Sequence, residues 1–442
     1  MLQHRQILSP FQTIIFGFAA VILAGALLLM LPAATVSGRV TSFPDALFTA
    51  TSATCVTGLV VQDTASYWSG FGQAVILCLI QIGGMGVVTT AALITIISGR
   101  KIGLMQRNTM QEAISAPNVG GIVRLTSFIV KCTVLFELIG ALFMLPVFGR
   151  EWGLGRGLWY SVFHSVSAFC NAGFDLMGRK EPFSSLTGYV SSPVINLTVM
   201  GLIIIGGIGF LTWDDLKKKK LKIHKYRTQT KIVLGVSFML IVLPAVYFYF
   251  CEFSSLPEES RLWASLFQSV TPRTAGFNTV DYNSVSGVGK IITMGLMLIG
   301  GSPGSTAGGM KTTTIAILLA SCLATFSRRE DANMFGRRIS ENTIKNASAI
   351  FLIYAMLTLA GGCIICSVEK LPLLQCLFET TSAIGTVGLS LGITGGLGVF
   401  SKGILIFLMF FGRVGGLTLV FAAISRSKHS RSRLPLEKIT VG

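Results

Sequence analysis

A short segment rich in aromatic, serine and threonine residues occurs four times in this chain, and each copy ends in a glycine. The glycines are Gly58, Gly173, Gly276 and Gly388, at intervals of 115, 103 and 112 residues. A phenylalanine precedes the glycine by ten residues in three copies and by nine residues in the third. Self-similarity at a nearly fixed period predicts that one structural unit is used four times.

The second apolar stretch of each unit repeats a pattern of small residues as well. An apolar residue is followed by two glycines in the first three units, and in the fourth unit Arg413 replaces the second glycine. Two features that recur in the same order argue against a chance repeat. We predict units at 1–110, 111–225, 226–335 and 336–425, followed by a basic tail at 426–442.

The composition places these units in a membrane. Hydrophobic residues make up 51% of the chain and charged residues only 12%, whereas soluble domains have about 25% charged residues. A helix needs about 20 apolar residues to cross the hydrocarbon core. Such stretches lie at 11–31, 72–98, 125–149, 192–213, 231–251, 290–326, 346–367 and 400–424. The sequence therefore predicts an all-α polytopic membrane protein with eight transmembrane spans.

Lysine and arginine are distributed unequally between the two sides of these spans. Most of the 36 basic residues lie in segments that share one side, namely the amino-terminal end, 100–124, 217–231, 328–345 and 426–438. Because retained positive charge marks cytoplasmic loops, both termini are predicted to be cytoplasmic. The net charge of +17 is then explained by topology and by contact with membrane lipids, and it does not imply binding to nucleic acid.

The repeated segments themselves are too short to cross the membrane. Irregular backbone at membrane depth is tolerated only where it is buried or lines water, so we interpret the segments as re-entrant pore helices. Each unit is then a span, a pore helix and a second span, and all four units are parallel. Parallel repeats are related by an axis along the membrane normal, which predicts a pseudo-fourfold central pore. The C-terminal ends of the four helices would favour a cation at its centre.

Uncharged loops follow the four predicted pore helices. A ring of backbone carbonyls replaces the water around an ion without binding it too tightly, and glycine permits the backbone angles that such a loop needs. One loop of this kind would be weak evidence, but four in register predict a selectivity filter. The predicted filter residues are Val56, Thr57, Gly58, Asn171, Ala172, Gly173, Thr274, Ala275, Gly276, Thr386, Val387 and Gly388.

Residues 300–312 interrupt the last apolar stretch of the third unit. Their glycines, proline and small polar residues are incompatible with a continuous helix, so we predict an intramembrane loop across the conduction path. A phosphate-binding loop is disfavoured because the Gly-Lys pair is missing. Arg413 is a functional candidate because an arginine inside a span is costly, and the loop offers it carbonyl partners. The predicted gate consists of Gly301, Ser302, Pro303, Gly304, Ser305, Thr306, Gly308, Gly309, Lys311 and Arg413.

The four loop motifs and their spacing resemble the Trk/Ktr/HKT potassium transporter superfamily over essentially the whole chain, and the chain is similar in size to the bacterial Ktr membrane subunits. The resemblance implies potassium-selective uptake across the bacterial plasma membrane, since all four filter positions are glycine. It also implies the gate role of residues 300–312 and Arg413. It further implies a homodimer on a cytosolic ring that binds ATP or ADP, with Na⁺ as an activator or symported ion and no covalent cofactor.

Two other classes of function were weighed on the residues alone. A secondary solute transporter that works by alternating access would carry inverted repeats, and the parallel repeat argues against it. A membrane-embedded enzyme would need ligand spacings or a nucleophile–base pair, which the four histidines and nine cysteines do not supply. Cys363 and Cys366 have the spacing of a redox motif, but they lie in an apolar span and are interpreted as packing residues.

Overall fold

The computed structural model describes residues 9–98, 102–114, 120–220, 222–416 and 418–419. The predicted basic tail at 426–442 and the end of the eighth apolar stretch, after residue 419, lie outside the described residues. The described part of the chain is helical throughout except for one short hairpin and the connecting loops. The prediction of an all-α architecture is thus confirmed at the level of secondary structure.

The helices are given in chain order and grouped by the four predicted units. In the first unit they are α1 (Pro10–Leu29), α2 (Phe43–Thr54), α3 (Gly70–Met85), α4 (Val87–Ile97) and the connecting helix α5 (Leu104–Ile114). In the second they are α6 (Ile122–Trp152), α7 (Leu154–Phe169), α8 (Pro193–Gly207) and α9 (Phe210–Lys219). In the third they are α10 (Thr228–Tyr247), which continues as a π-helix over Phe248–Glu252, α11 (Glu258–Val270), α12 (Gly287–Leu298) and α13 (Thr312–Phe326). The hairpin β1 (Asn333–Met334) and β2 (Arg337–Arg338) leads to α14 (Glu341–Glu369), α15 (Leu373–Gly385) and α16 (Val399–Val414).

Several of these helices are long and apolar enough to cross a membrane. Among the described residues, α1, α6, α10 with its π-helical extension, and α14 meet this condition singly, and the pairs α3–α4 and α8–α9 meet it jointly. Helices α12 and α13 are apolar but shorter. These lengths support a membrane protein with several spans.

The helices within the predicted spans at 72–98 and 192–213 are not straight. Each pair bends by 95°, α3 against α4 and α8 against α9. The residues at the bends are Gly86 and Gly209, with φ of 87° and 92°. Positive φ interrupts a right-handed helix and is accessible to glycine at little cost. Helix α4 therefore runs in a different direction from α3, and α9 runs in a different direction from α8.

A short helix occupies each of the four repeated segments, as predicted. In α2 the Ser42 hydroxyl accepts a hydrogen bond from the Asp45 amide, and Pro44 lies in the first turn. Pro372 lies at the N-cap of α15. The phenylalanines that mark the repeat have no exposed surface, so each anchors its helix in the protein interior; they are Phe48, Phe163, Phe267 and Phe378.

The repeated small residues explain how the second helix of a unit packs against the short helix. A methyl group on Gly83, Gly206 or Gly412 would lie closer than 3.0 Å to a backbone carbonyl at the end of α2, α7 or α15. Only glycine permits this approach of two backbones. In the third unit the pattern falls in the loop after α12, which ends at Leu298. The repeated glycines therefore serve as a packing motif in the first, second and fourth units, whereas in the third unit the same pattern lies in a loop.

Candidate functional site

The loops that follow the four short helices contact one another in a closed ring. A methyl group placed on any of the four loop glycines would lie closer than 3.0 Å to a carbonyl oxygen of another loop. The pairs are Gly58 with the Ala172 oxygen, Gly173 with the Ala275 oxygen, Gly276 with the Val387 oxygen, and Gly388 with the Thr57 oxygen. The ring therefore runs in chain order and closes from the fourth loop to the first.

All four loops share an unusual backbone conformation. In each, φ is positive at the glycine and at the residue two positions before it. The non-glycine members include the β-branched Val56, Thr274 and Thr386, with φ of 51°, 73° and 51°, and the fourth is Asn171 with φ of 58°. A β-branched residue in this region is strained by about 1–3 kcal/mol and persists only when its surroundings impose it. Such strain is concentrated at functional sites.

Buried hydroxyl groups hold these loops, and the sequence analysis missed them. Ser52 and Ser382 accept hydrogen bonds from the amides of Gly58 and Gly388, at 3.1 and 3.0 Å. Ser167 and Thr271 instead donate to the carbonyls just beyond the second and third glycines, at 2.7 and 2.5 Å. A signal was present, because a hydroxyl residue stands six residues before three of the glycines and five before Gly276. The third segment is one residue shorter, and Thr271 takes the equivalent place.

Several oxygen atoms in and next to the ring have no hydrogen-bond partner within the described part of the chain. They are the hydroxyls of Thr54, Thr57 and Thr386 and the side-chain oxygen of Asn171. Buried polar atoms are normally paired, and those left over in a native fold commonly mark a position for water or an ion. The ring thus offers oxygen atoms and no charged group.

A cavity of about 290 Å³ opens onto the ring from one side. All four loop glycines line it, together with Asp63, Asp175 and Asp281. Burial raises the pKa of Asp175 to about 7, the Met177 amide opposes this shift, and the nearby Asp63 adds to it. The sequence predicts that Asp45, Asp63, Asp175 and Asp281 lie near the external ends of the units. Three of them line this vestibule, whereas Asp45 pairs with Lys402.

Three polar residues of the short helices fasten the segments beyond the ring. His164, Gln268 and Glu379 share the register of Thr49 in the repeated segments, which favours packing or outer-mouth contacts, and the structure shows contacts of this kind. Each contacts the segment that follows the glycine of its own unit. His164 accepts from the Leu176 amide, Gln268 bonds Thr279 and Tyr282, and Glu379 accepts from Ser390, Leu391 and Thr394.

The loop between α12 and α13 lies on the other side of the ring. A methyl group on Gly308 would meet the Thr386 side chain, and one on Gly309 would meet the Gly385 carbonyl. The Gly309 amide donates to the Gly412 carbonyl at 3.1 Å. The Thr306 hydroxyl donates to the carbonyl of Phe169, the last residue of α7, at 3.1 Å. The loop therefore bridges the ends of two short helices directly behind the ring.

Two cationic side chains fix this loop through backbone carbonyls. Arg413 donates to the Thr306 carbonyl and to the carbonyls of Gly83 and Gly84 at the end of α3. Lys311 donates to the carbonyls of Ala307 and Gly308, at 2.8 and 3.2 Å. Neither forms an ion pair with a carboxylate of the described residues. An arginine and a lysine thus stand beside the loop behind the ring.

The described residues contain no group of three or more histidine, cysteine, aspartate or glutamate side chains that could hold a metal ion. Cys363 and Cys366 are both free and lie in α14.

These observations define a helical membrane protein in which four loops of one chain meet in a ring. The chain belongs to the TrkH family of cation transport proteins, whose family model matches residues 2–432. The chain is thus a transporter and not an enzyme, and the predictions of the superfamily and of a multi-pass protein of the bacterial plasma membrane are confirmed.

Individual relatives match over nearly their whole length. The chain is 40% identical to the Ktr system potassium uptake protein B of Bacillus subtilis, over 98% of this chain and 97% of that protein. It is 39% identical to the potassium/sodium uptake protein NtpJ of Enterococcus hirae, over 99% and 98%. The crystal structure of the potassium transporter TrkH from Vibrio parahaemolyticus superposes with a TM-score of 0.74 at 20% identity, covering 96% of this chain and 86% of that one. The last similarity shows a common fold.

Proposed function

We propose that this chain is the membrane subunit of a potassium uptake system and that K⁺ passes through the ring formed by its four loops. Curated relatives of nearly equal length are named as potassium or potassium/sodium uptake proteins. The observation that supports the pore most strongly is the closed ring, in which each loop glycine abuts a carbonyl of another loop.

Potassium suits the chemistry of this ring. K⁺ loses its hydration water to neutral carbonyl oxygens at moderate cost, so an uncharged ring lets the ion enter and leave. The residues we assign to the filter are the three that end at each glycine, and the vestibule carboxylates supply the negative charge that concentrates cations in front of it. All four positions that the superfamily associates with selectivity are glycine.

The loop over 300–312 is the gate in this proposal. It lies behind the ring, and Arg413 and Lys311 place positive charge beside it. A permeating cation would meet both an obstruction and electrostatic repulsion there. Opening therefore requires the loop to leave the carbonyls that now hold it.

The proposed topology has eight spans in four parallel units, with both termini in the cytoplasm. In it, α12 and α13 are the two halves of one span, and α16 forms the last one. We further propose that two copies of the chain assemble on a cytosolic ring that binds ATP or ADP, and that Na⁺ activates uptake. The relatives named as Ktr system components support a multi-subunit assembly, and the basic run at 217–220 provides a surface for it.

Uptake of ⁸⁶Rb⁺ into potassium-uptake-deficient cells, with Na⁺ as competitor, tests this function. Gly58→Ser should reduce the preference for K⁺ over Na⁺ about tenfold, because a side chain at φ 92° costs about 1–2 kcal/mol and collides with the Ala172 carbonyl. Gly70→Ser is the matched control, since a methyl group there meets nothing within 4 Å. Unchanged selectivity in Gly58→Ser would exclude the filter assignment, and absence of cation uptake by the wild type with its cytosolic partner would favour a solute transporter.

A further inference from the structure

A second cavity, of about 1160 Å³, shares no lining residue with the vestibule. It is bounded by the first turn of α6 and by α9, with contributions from α4, α5 and the start of α10. None of its lining residues belongs to the ring or to the loop over 300–312. The basic segments that surround it are those predicted to face the cytoplasm.

The polar lining of this cavity is strongly basic. Five basic residues line it, Arg107, Arg124, Lys217, Lys218 and Arg227, against the single acid Asp214. Lys218 pairs with Asp214 at 2.7 Å, which neutralises that acid. Arg107, Arg124 and Lys217 have no carboxylate partner among the described residues, although Lys217 lies 4.5 Å from the centre of the Phe128 ring. The cavity thus has cationic groups available for an anion.

The rest of the lining is apolar and continues into the surface that faces the bilayer. Apolar side chains from α4, α6 and α9 form the walls. Further along α6, Leu135, Leu138 and Leu142 are exposed, which is expected for a face in contact with acyl chains. On α5, Leu104 is 76% exposed only three residues before Arg107. An apolar residue next to a basic one on a short helix is typical of the membrane interface.

We propose that this cavity binds the headgroup of an anionic phospholipid, with the phosphate at Arg124 and Lys217 and the acyl chains along α6. A free phosphate ion would use the basic groups but would leave the apolar walls in water. A lipid of the cytoplasmic leaflet uses both, and basic pockets between spans on this side suit anionic headgroups. Gly121, which precedes α6, has no side chain to cap the first turn, and the residues of that turn line the same cavity.

The cavity is also connected to the loop over 300–312. Helix α9, which forms one wall, begins at Phe210, whose amide donates to the Gly304 carbonyl at 2.7 Å. A methyl group on Gly304 would meet the carbonyl of Ile114, the last residue of α5. A lipid that joins α5, α6 and α9 would therefore stabilise the two helices that support the tip of the loop. This consequence for uptake rests on the proposed function, whereas lipid binding does not.

Native mass spectrometry of the full chain in detergent, titrated with dioleoyl phosphatidylglycerol or dioleoyl phosphatidylcholine, measures the binding directly. We expect one phosphatidylglycerol to be retained more tightly than any phosphatidylcholine. The double variant Arg124→Gln with Lys217→Gln should weaken this event about 25-fold, since each basic residue near an anionic headgroup contributes about fivefold. Lys222→Gln with Lys225→Gln removes the same charge from exposed positions outside the cavity and should bind like the wild type.

Three outcomes would contradict the proposal. They are equal retention of both lipids, wild-type binding by the cavity variant, and displacement of the lipid by millimolar inorganic phosphate, which would identify a free-anion site. Thermal unfolding of each variant in lipid-free detergent shows whether the fold is intact. The single variant Lys217→Arg, with Arg124 unchanged, keeps the charge and should bind phosphatidylglycerol like the wild type. Because no ion flux is measured, the result is independent of whether the ring conducts K⁺.

Discussion

At the scale of single residues, the ring depends on backbone angles that its sequence does not favour. Val56, Thr274 and Thr386 keep positive φ although each is β-branched. Their conformation persists because neighbouring groups fix the loop, among them Ser52 and Ser382, which accept from the glycine amides. The strain is thus offset by buried hydrogen bonds. The four loops are therefore held in shape before any ion arrives.

The vestibule charge predicts a dependence on pH. The pKa of Asp175 is raised from 3.8 to about 7, so the carboxyl is neutral below that pH and charged above it. Lowering the pH from about 8 to about 6 therefore removes one negative charge and should weaken the apparent affinity for K⁺ about two- to tenfold. Uptake kinetics measured across this range provide the test.

The variant Asp175→Asn tests whether Asp175 itself causes the pH dependence of the K⁺ affinity. The variant should have the low-pH affinity at every pH, because its side chain is always neutral. Asp331→Asn is the control, since Asp331 lies on the hairpin side of the molecule in an exposed pair with Arg338. An affinity that still falls with pH in Asp175→Asn would contradict the assignment.

At the scale of elements, the short helices were predictable and the bends were not. A proline lies at or near the start of the short helix in three of the four units, at Pro44, Pro257 and Pro372. The buried phenylalanine precedes the loop glycine by nine or ten residues in all four. The break over 300–312 was equally visible in its composition. Gly86 and Gly209 each stand two residues after a Gly-Gly pair, so a signal was present, but glycine in an apolar stretch is also compatible with a straight span.

The contacts of Arg413 predict its role in the loop. Its guanidinium joins the Thr306 carbonyl to the end of α3, so removing it should release the loop and remove a repulsive charge. Hydrogen bonds to charged groups contribute about 1.5–3 kcal/mol, so Arg413→Gln should raise resting cation flux about tenfold or more. Arg413→Lys should give an intermediate flux, because an ammonium group does not reproduce the planar fork. Flux measured in proteoliposomes without a cytosolic partner is the readout.

Two further variants serve as comparisons in the flux measurement. Arg39→Gln removes an exposed arginine far along the chain from the loop and should leave the flux unchanged. Deletion of residues 304–309 should raise the flux at least as much as Arg413→Gln, because it removes the obstruction itself. Wild-type flux in both Arg413→Gln and the deletion, at normal protein levels, would show that the loop is not a gate.

At the scale of the whole molecule, four sequential units close into a ring through contacts between the first and the last. Lys402 at the start of α16 pairs with Asp45 at the start of α2 at 2.9 Å, and both side chains are largely buried. Neighbouring units are joined by bonds such as that from Leu186 to the Asn278 carbonyl, at 3.0 Å. The repeat predicted that four loops would meet. The closing ion pair was not predictable, because its partners stand 357 residues apart and neither belongs to the repeated pattern.

The central claim is that the four loops form one site for a monovalent cation. Anomalous diffraction from crystals grown in Rb⁺ would locate that ion directly. The account predicts a peak on the axis of the ring, at comparable distances from all four loops, which disappears when Na⁺ replaces Rb⁺. A peak only in the vestibule beside Asp63 and Asp175, or none within the ring, would contradict it.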